Sequence, residues 1–164
     1  MAEPSELRAR ISGAVRDLVL ILGDQLDANA RVLSELDPEL DAVLIMEIDS
    51  EVSGCAAKSR SPNQHATPIL SAMRRFAQDL KSRGIRVRYI TLDAPQNTHS
   101  FSGEIKRACT VLAPRKLRVT HPSESRILDE LNAASKENSV PLDILEDEHV
   151  LTRKVRFAPT RLVP

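Results

Sequence analysis

Two continuous apolar runs, each ending in acid, constrain the fold of this chain more than any other feature: Leu18 to Leu26, LVLILGDQL, and Ala42 to Glu51, AVLIMEIDSE. A strand with one wet face alternates apolar and polar residues, whereas a short run without alternation reads as a strand covered on both faces. Strands of that kind belong to parallel sheets flanked by helices. In an open parallel sheet the carboxyl ends of the strands share one edge, so Asp24 and Glu47, 23 residues apart, are expected to face a common crevice.

The rest of the pattern supplies the helices and the remaining strands. Gly23 allows a tight exit from strand one, Asn29 to Leu36 suggests a short helix closed by Asp37 and Pro38, and strand two runs from Ala42 to Ile48. Asp49 to Pro68 has no sustained period and reads as a long surface loop. A helix is expected over Thr67 to Arg83, with Thr67 as N-cap, Pro68 at the first helical position and Gly84 at the C-terminal stop. Its apolar positions Ile69, Ala72, Met73, Phe76 and Leu80 recur at three and four.

Ile85 to Leu92 alternates, with Arg86 and Arg88 between apolar residues, which marks an edge strand. A helix capped by Ser100 or Ser102 then runs to about Leu112, ended by Ala113 and Pro114. Strand four is Lys116 to Thr120, a helix capped by Ser123 reaches roughly Lys136, and strand five is Leu142 to Leu145. Five strands alternating with helices predict an α/β fold, a doubly wound parallel Rossmann-like sheet in the order 3-2-1-4-5. Residues 1–16 read as an N-terminal extension, 17–152 as the domain, and 153–164 as a tail.

Composition narrows the function classes. At 164 residues the chain suits one domain with a sizeable core. Basic and acidic residues both number 23, so no net charge draws the chain strongly to nucleic acid or to a membrane. The longest unbroken apolar stretches, LVLIL and AVLIM, fall far short of the roughly 20 residues needed to span a bilayer, and MAEPSELRAR has no signal-peptide core, so a cytoplasmic location is expected. Cys55 and Cys109 fit neither a disulfide framework nor a CxxC motif. With no Trp and one Tyr, Tyr89, the chain is poorly furnished for a side-chain electron relay.

With strands in that order, the switch point lies between strands one and four, where Gly23, Asp24 and Gln25 would meet the residues after Thr120. A phosphate-binding turn after strand one wants glycines and a helix N-terminus, and GDQLD offers one glycine and two acids. Acids and amides suit a neutral, donor-rich ligand such as a lumazine or deazaflavin better than a dinucleotide. A plainer reading of the same residues has Asp24 capping its own turn and Glu47 pairing with a nearby Arg. Asp27, Asp41, Asp49 and Glu51 lack ligand spacing on one element and read as solvated acids, so no metal site is expected. His65, His99, His121 and His149 read as surface residues, and His121 with Ser123 lacks the Gly-x-Ser-x-Gly elbow of a hydrolase. Arg74, Arg75, Lys81 and Arg83 read as a basic, solvated helix face.

Taken with SAMRRFAQDL (Ser71 to Leu80), SFSGEIKRA (Ser100 to Ala108) and RVTHPSESR (Arg118 to Arg126), the two strand motifs resemble one family over roughly residues 17–152. That family is the bacterial iron-sulfur photolyase and cryptochrome group, the photolyase-related proteins, and the resemblance is to its N-terminal antenna domain. It implies a Rossmann-like module that holds an antenna chromophore, typically 6,7-dimethyl-8-ribityllumazine, and passes absorbed energy to reduced FAD. It further implies that FAD, the iron-sulfur cluster and the DNA-lesion pocket belong to a helical domain lying downstream, which this chain does not include, so lyase activity is not expected of it alone. Cofactor-binding positions carried over are Gly23, Asp24, Gln25, Glu47, Ile48, Glu51, Pro122 and Glu124, with no catalytic residue among them. Two stretches depart from the family's pattern: SGCAAKSRSPNQHATP replaces a shorter basic connection, and Ser125 stands where a Trp is usual. The other readings are a chromophore-free interaction module or remnant that docks to a separate catalytic domain, and an unrelated nucleotide-binding α/β protein, which GDQLD argues against.

Overall fold

The computed structural model describes residues 14–48 and 62–146, with side chains in the second stretch described from residue 68 onward. The N-terminal extension before residue 14, most of the 49–68 loop and the chain beyond residue 146 lie outside these residues. Among the described residues the elements are, in order, β1 (Asp17–Ile21), α1 (Arg31–Ser34), β2 (Ala42–Met46), α2 (Pro62–Ser82), β3 (Val87–Ile90), α3 (Phe101–Leu112), β4 (Lys116–Thr120), α4 (Ser125–Asn138) and β5 (Leu142–Leu145). The strands form one all-parallel sheet in the order β3-β2-β1-β4-β5, as the sequence predicts. Leu20 of β1 pairs with Leu44 on one side and Val119 on the other, which leaves β1 with a neighbour along both edges.

Strand position explains the two kinds of apolar pattern. Central β2 is buried along its whole length, whereas edge β3 leaves Arg88 half-buried and edge β5 is buried only at Leu145. One face of the sheet carries Leu18, Leu20, Leu44 and Met46 under Phe101 and Ile105 of α3 and Leu131 of α4. The other carries Val19, Ile21, Val43 and Ile45 under Met73, Ala77 and Leu80 of α2. Alternation along β2 therefore aims Ile48 toward the α3 side and Glu47 toward the α2 side.

Local chemistry sets the helix ends. Gly84, at φ 82°, takes the left-handed position after α2, its N–H bonding to Lys81 O at 2.9 Å and the Ile85 N–H to Leu80 O at 3.1 Å. These are the paired bonds of a Schellman stop. Ser100 caps α3 by accepting from the Gly103 N–H at 3.1 Å.

Two expected helix starts are corrected. α2 begins at Pro62, five residues before Thr67, so Pro68 lies inside the helix and not at its start. A proline lacks an N–H wherever it stands, and Pro62 occupies the first-turn position that loses nothing by this, while the strong apolar period beyond residue 69 carries the helix through Pro68. α4 begins at Ser125, and Ser123 does not cap it. Its hydroxyl is spent on Asp24 from another loop.

The amino edge is closed by a buried acid. Asp41, fully buried, accepts from Arg16 Nε at 2.9 Å and Nη2 at 2.6 Å, and from the backbone N–H groups of Asp17 at 3.1 Å and Asp37 at 2.8 Å. Burial alone would raise its pKa; the Arg16 hydrogen bond and the backbone donors outweigh burial and hold it below the ordinary carboxylate value.

Candidate functional site

The crevice at the switch point is built by the ends of β1 and β4. Leu22 is buried and Gly23 half-buried, after which the chain turns, with the Gln25 N–H bonding to Leu22 O at 3.0 Å. From this turn the Gln25 side chain crosses to β4, its Nε2 donating to Thr120 O at 3.0 Å and to His121 O at 3.2 Å. Both amide hydrogens are thereby used, and Gln25 Oε1 is left buried with no hydrogen-bond partner among the described residues. A buried acceptor without a donor is costly, which marks the place where a donor-bearing ligand group would be stabilised.

Asp24 is exposed and reaches the same loop from the other side. Ser123 Oγ donates to Asp24 Oδ2 at 2.7 Å, joining residues 99 apart in sequence. Pro122 is buried, and Glu124 is exposed at the N-cap of α4, with Arg126 Nη2 3.4 Å from its carboxylate. His121 Nδ1 lies 2.8 Å from Pro122 O, which can only accept, so Nδ1 is the protonated nitrogen. Gly23, Asp24, Gln25, Pro122 and Glu124 thus come together as one rim.

Glu47 lies elsewhere. Its carboxylate is fully buried beneath α2, gripped by Arg74 through Nε at 2.7 Å and Nη2 at 2.9 Å, by the Tyr89 hydroxyl at 2.5 Å and by the Leu92 N–H at 2.7 Å. Its backbone carbonyl accepts from Asn97 Nδ2 at 2.8 Å, which also bonds to Thr91 O at 2.9 Å. Four donors leave the carboxylate no spare lone pair of good geometry for a ligand, and they fasten α2 and the β3–α3 loop to the end of β2. The Arg74 pKa is raised, chiefly by its hydrogen bond to Glu47; that of Tyr89 is pushed well up, first by burial and then by the same carboxylate. Ile48 is buried in the core on the α3 side, and Glu51 lies outside the described residues.

Several partners escaped the sequence reading. The plainer reading, Glu47 paired with a nearby Arg, is what the structure has, but the arginine is Arg74, which was read as part of a solvated basic face. A signal existed: Arg74 adjoins Met73 and precedes Ala77 by three, at the border of the apolar stripe of α2. Tyr89 also had one, as an inward position of an alternating edge strand. Asn97 and the Ser123–Asp24 bridge had none, because both join loops distant in sequence.

A family model described as "Deoxyribodipyrimidine photo-lyase-related protein" matches residues 19–161. A protein of Agrobacterium fabrum (strain C58 / ATCC 33970) named "(6-4) photolyase" is 36% identical over 140 residues, covering 85% of this chain and 27% of that protein. The chain thus spans about a quarter of that relative's length. The family model runs through the β1 loop and the β4 loop that build the crevice, and the two matches place the chain in the deoxyribodipyrimidine photo-lyase-related protein family.

Proposed function

We propose that this chain is the antenna domain of a photolyase-type light-harvesting system for DNA repair or photoreception in the cytoplasm, holding 6,7-dimethyl-8-ribityllumazine or a similar ribityl chromophore at the switch point. The observation that carries this reading is the donor–acceptor balance of the crevice, where the Gln25 amide is turned so that its carbonyl oxygen faces no donor among the described residues. Ring N–H and ribityl hydroxyl groups are donors, and the acids and the amide carbonyl of this rim are acceptors. When bound, the chromophore would supply absorption of near-ultraviolet or blue light; the protein's part is to bind and orient it.

In this reading Gly23 lets the backbone approach closely, Asp24 and Gln25 accept from the ligand, and Pro122 and Glu124 form the opposing wall. Glu47 and Ile48, buried on opposite faces of the sheet, hold the end of β2 and do not reach the crevice, and Glu51 is assigned to the site through the family resemblance. Through the family resemblance, lyase chemistry is assigned to an FAD domain acting with this one.

The test is incubation of the purified chain with the ribityllumazine, followed by desalting and spectroscopy. A retained, shifted spectrum that Asp24→Ala abolishes without altering far-ultraviolet circular dichroism is the expected result; loss of all dye from the wild-type chain would refute it. That loss would favour the second reading, an interaction module, for which an open groove of about 610 Å³ lined by Leu26, Ala72 and Phe76, with Arg75 and Asp79 also lining it, is the supporting observation.

A further inference from the structure

We propose that two copies of this chain pair through α2, the helices antiparallel about a twofold axis that crosses α2 at residue 77. The pairing lies away from the switch-point crevice and does not rest on the chromophore reading.

One side of α2 is committed to the core and the other is open. Met73, Ala77 and Leu80 are buried against the sheet, whereas Ala72, Arg75, Asp79 and Ser82 are exposed. At 3.6 residues per turn, the direction opposite Ala77 falls midway between Arg75 and Asp79, with Ala72 and Ser82 on the same side about one turn further out. This open side is a wall of the groove of about 610 Å³, and the helical residues lining that groove form pairs centred on residue 77: 72 with 82, 75 with 79 and 76 with 78.

A twofold axis between identical antiparallel helices sets each residue opposite the one equally far beyond the centre, so a surface pairs with itself only if it is self-complementary. α2 meets that condition. Arg75 faces the partner's Asp79 and Asp79 the partner's Arg75, which places opposite charges together twice at the middle of the contact. Ala72 faces the partner's Ser82, and two small side chains at each end let the axes approach to about 8–10 Å. Phe76 and Gln78 flank the pair, the ring already packed against its own core cluster. A parallel pairing would instead set Arg75 beside the partner's Arg75. Because Ala77 points into its own sheet, the two sheets stand on opposite sides of the helix pair and do not collide.

Within one chain Asp79 lies 3.0 Å from Arg83, an exposed pair four residues apart of the kind that contributes little by itself. The partner's Arg75 adds a second cation to that carboxylate from across the axis. From Ala72 to Ser82 the contact rises only about 15 Å, three turns of one helix. That is less surface than the about 800 Å² per partner of a standard interface, so the dimer is weak and sensitive to salt.

The experiment is sedimentation equilibrium of the full chain from about 5 to 500 µM at low ionic strength, where self-association with Kd on the order of 100 µM is expected and added salt should weaken it. Asp79→Arg and Arg75→Asp each set like charges opposite one another twice per dimer, and each should weaken association at least about tenfold. Both positions are exposed, and far-ultraviolet circular dichroism checks that each variant keeps its fold. Mixing the two variants in equal amounts is the decisive arm. One chain then carries two arginines and the other two aspartates, so the mixture should form a heterodimer at least as tight as the wild-type dimer although neither variant pairs with itself. A wild-type chain that stays monomeric at about 500 µM would overturn the proposal. So would a dimer that neither variant weakens, or a mixture of the two that remains monomeric.

Discussion

Raising the pH singles out one side chain. Tyr89 is the sole tyrosine and there is no tryptophan, so phenolate absorbance in the near ultraviolet reports this residue alone. It is 5% exposed and its hydroxyl donates to Glu47 at 2.5 Å. Burial, and then the adjacent carboxylate, raise its pKa in the folded chain, so the folded state keeps a proton that the unfolded state gives up at about pH 10. The stability contributed by this group is fully present below about pH 10 and is lost as the pH rises above it, by about 1.4 kcal/mol per pH unit. At about pH 12 the loss comes to about 2.7 kcal/mol, a large part of the about 5–15 kcal/mol that holds an ordinary domain together. Phenolate absorbance and far-ultraviolet circular dichroism should therefore change together, in one cooperative step at alkaline pH. Tyr89→Phe should lose this alkaline sensitivity while costing about 2 kcal/mol at neutral pH, since it removes a hydrogen bond to a charged acceptor. A phenol that ionises at its ordinary pH while the dichroism stays native would refute the reasoning.

Arg74→Met leaves the buried Glu47 carboxylate without its cation; breaking such a pair costs about 3–5 kcal/mol, and the low end, about 3, applies because the Arg74 side chain is 41% exposed and water replaces part of it. With a urea slope of about 2 kcal/mol/M the midpoint should fall by about 1.5 M, and an unchanged midpoint would sink the idea. Asp41→Asn should remove a component of acid sensitivity: a carboxylate whose folded pKa is depressed stabilises above its unfolded value of about 3.9 and ceases to as pH falls below it, so acid unfolding curves of the two proteins should converge at low pH. Gly103→Ala would place a Cβ 2.3 Å from Thr98 Oγ1 and 2.9 Å from Ser100 Oγ, crowding the cap of α3, and should cost about 1–3 kcal/mol in denaturant unfolding; wild-type stability would show that the cap yields freely.

The fold was legible because each signal for it is local. Unbroken apolar runs at Leu18 and Ala42 meant strands covered on both faces, alternation from Ile85 to Tyr89 meant an edge, and the structure has β1 and β2 inside the sheet and β3 at its rim. Gly84 and Ser100 end and begin their helices as their residue types require. The helix starts at Pro62 and Ser125 were less legible, since two prolines compete for one start and the Ser123 hydroxyl had a distant alternative. About the site, the rim residues Asp24 and Gln25 were found from the switch-point rule. That same rule put Glu47 in their crevice, while the strand's alternation aims it under α2.

Sequence by itself determined the class of fold, the strand order and which polar residues stand at the carboxyl edge of the sheet, because periodicity, glycines and caps act over a few consecutive residues. Tertiary structure alone decided what each polar group at that edge is bonded to. The Gln25 amide is turned by carbonyls on β4, Asp24 is anchored by a serine 99 residues away, and Glu47 is buried by an arginine and a tyrosine from α2 and β3. A carboxylate or amide has no preferred partner written beside it in the chain; it takes the donors that packing brings within hydrogen-bonding distance.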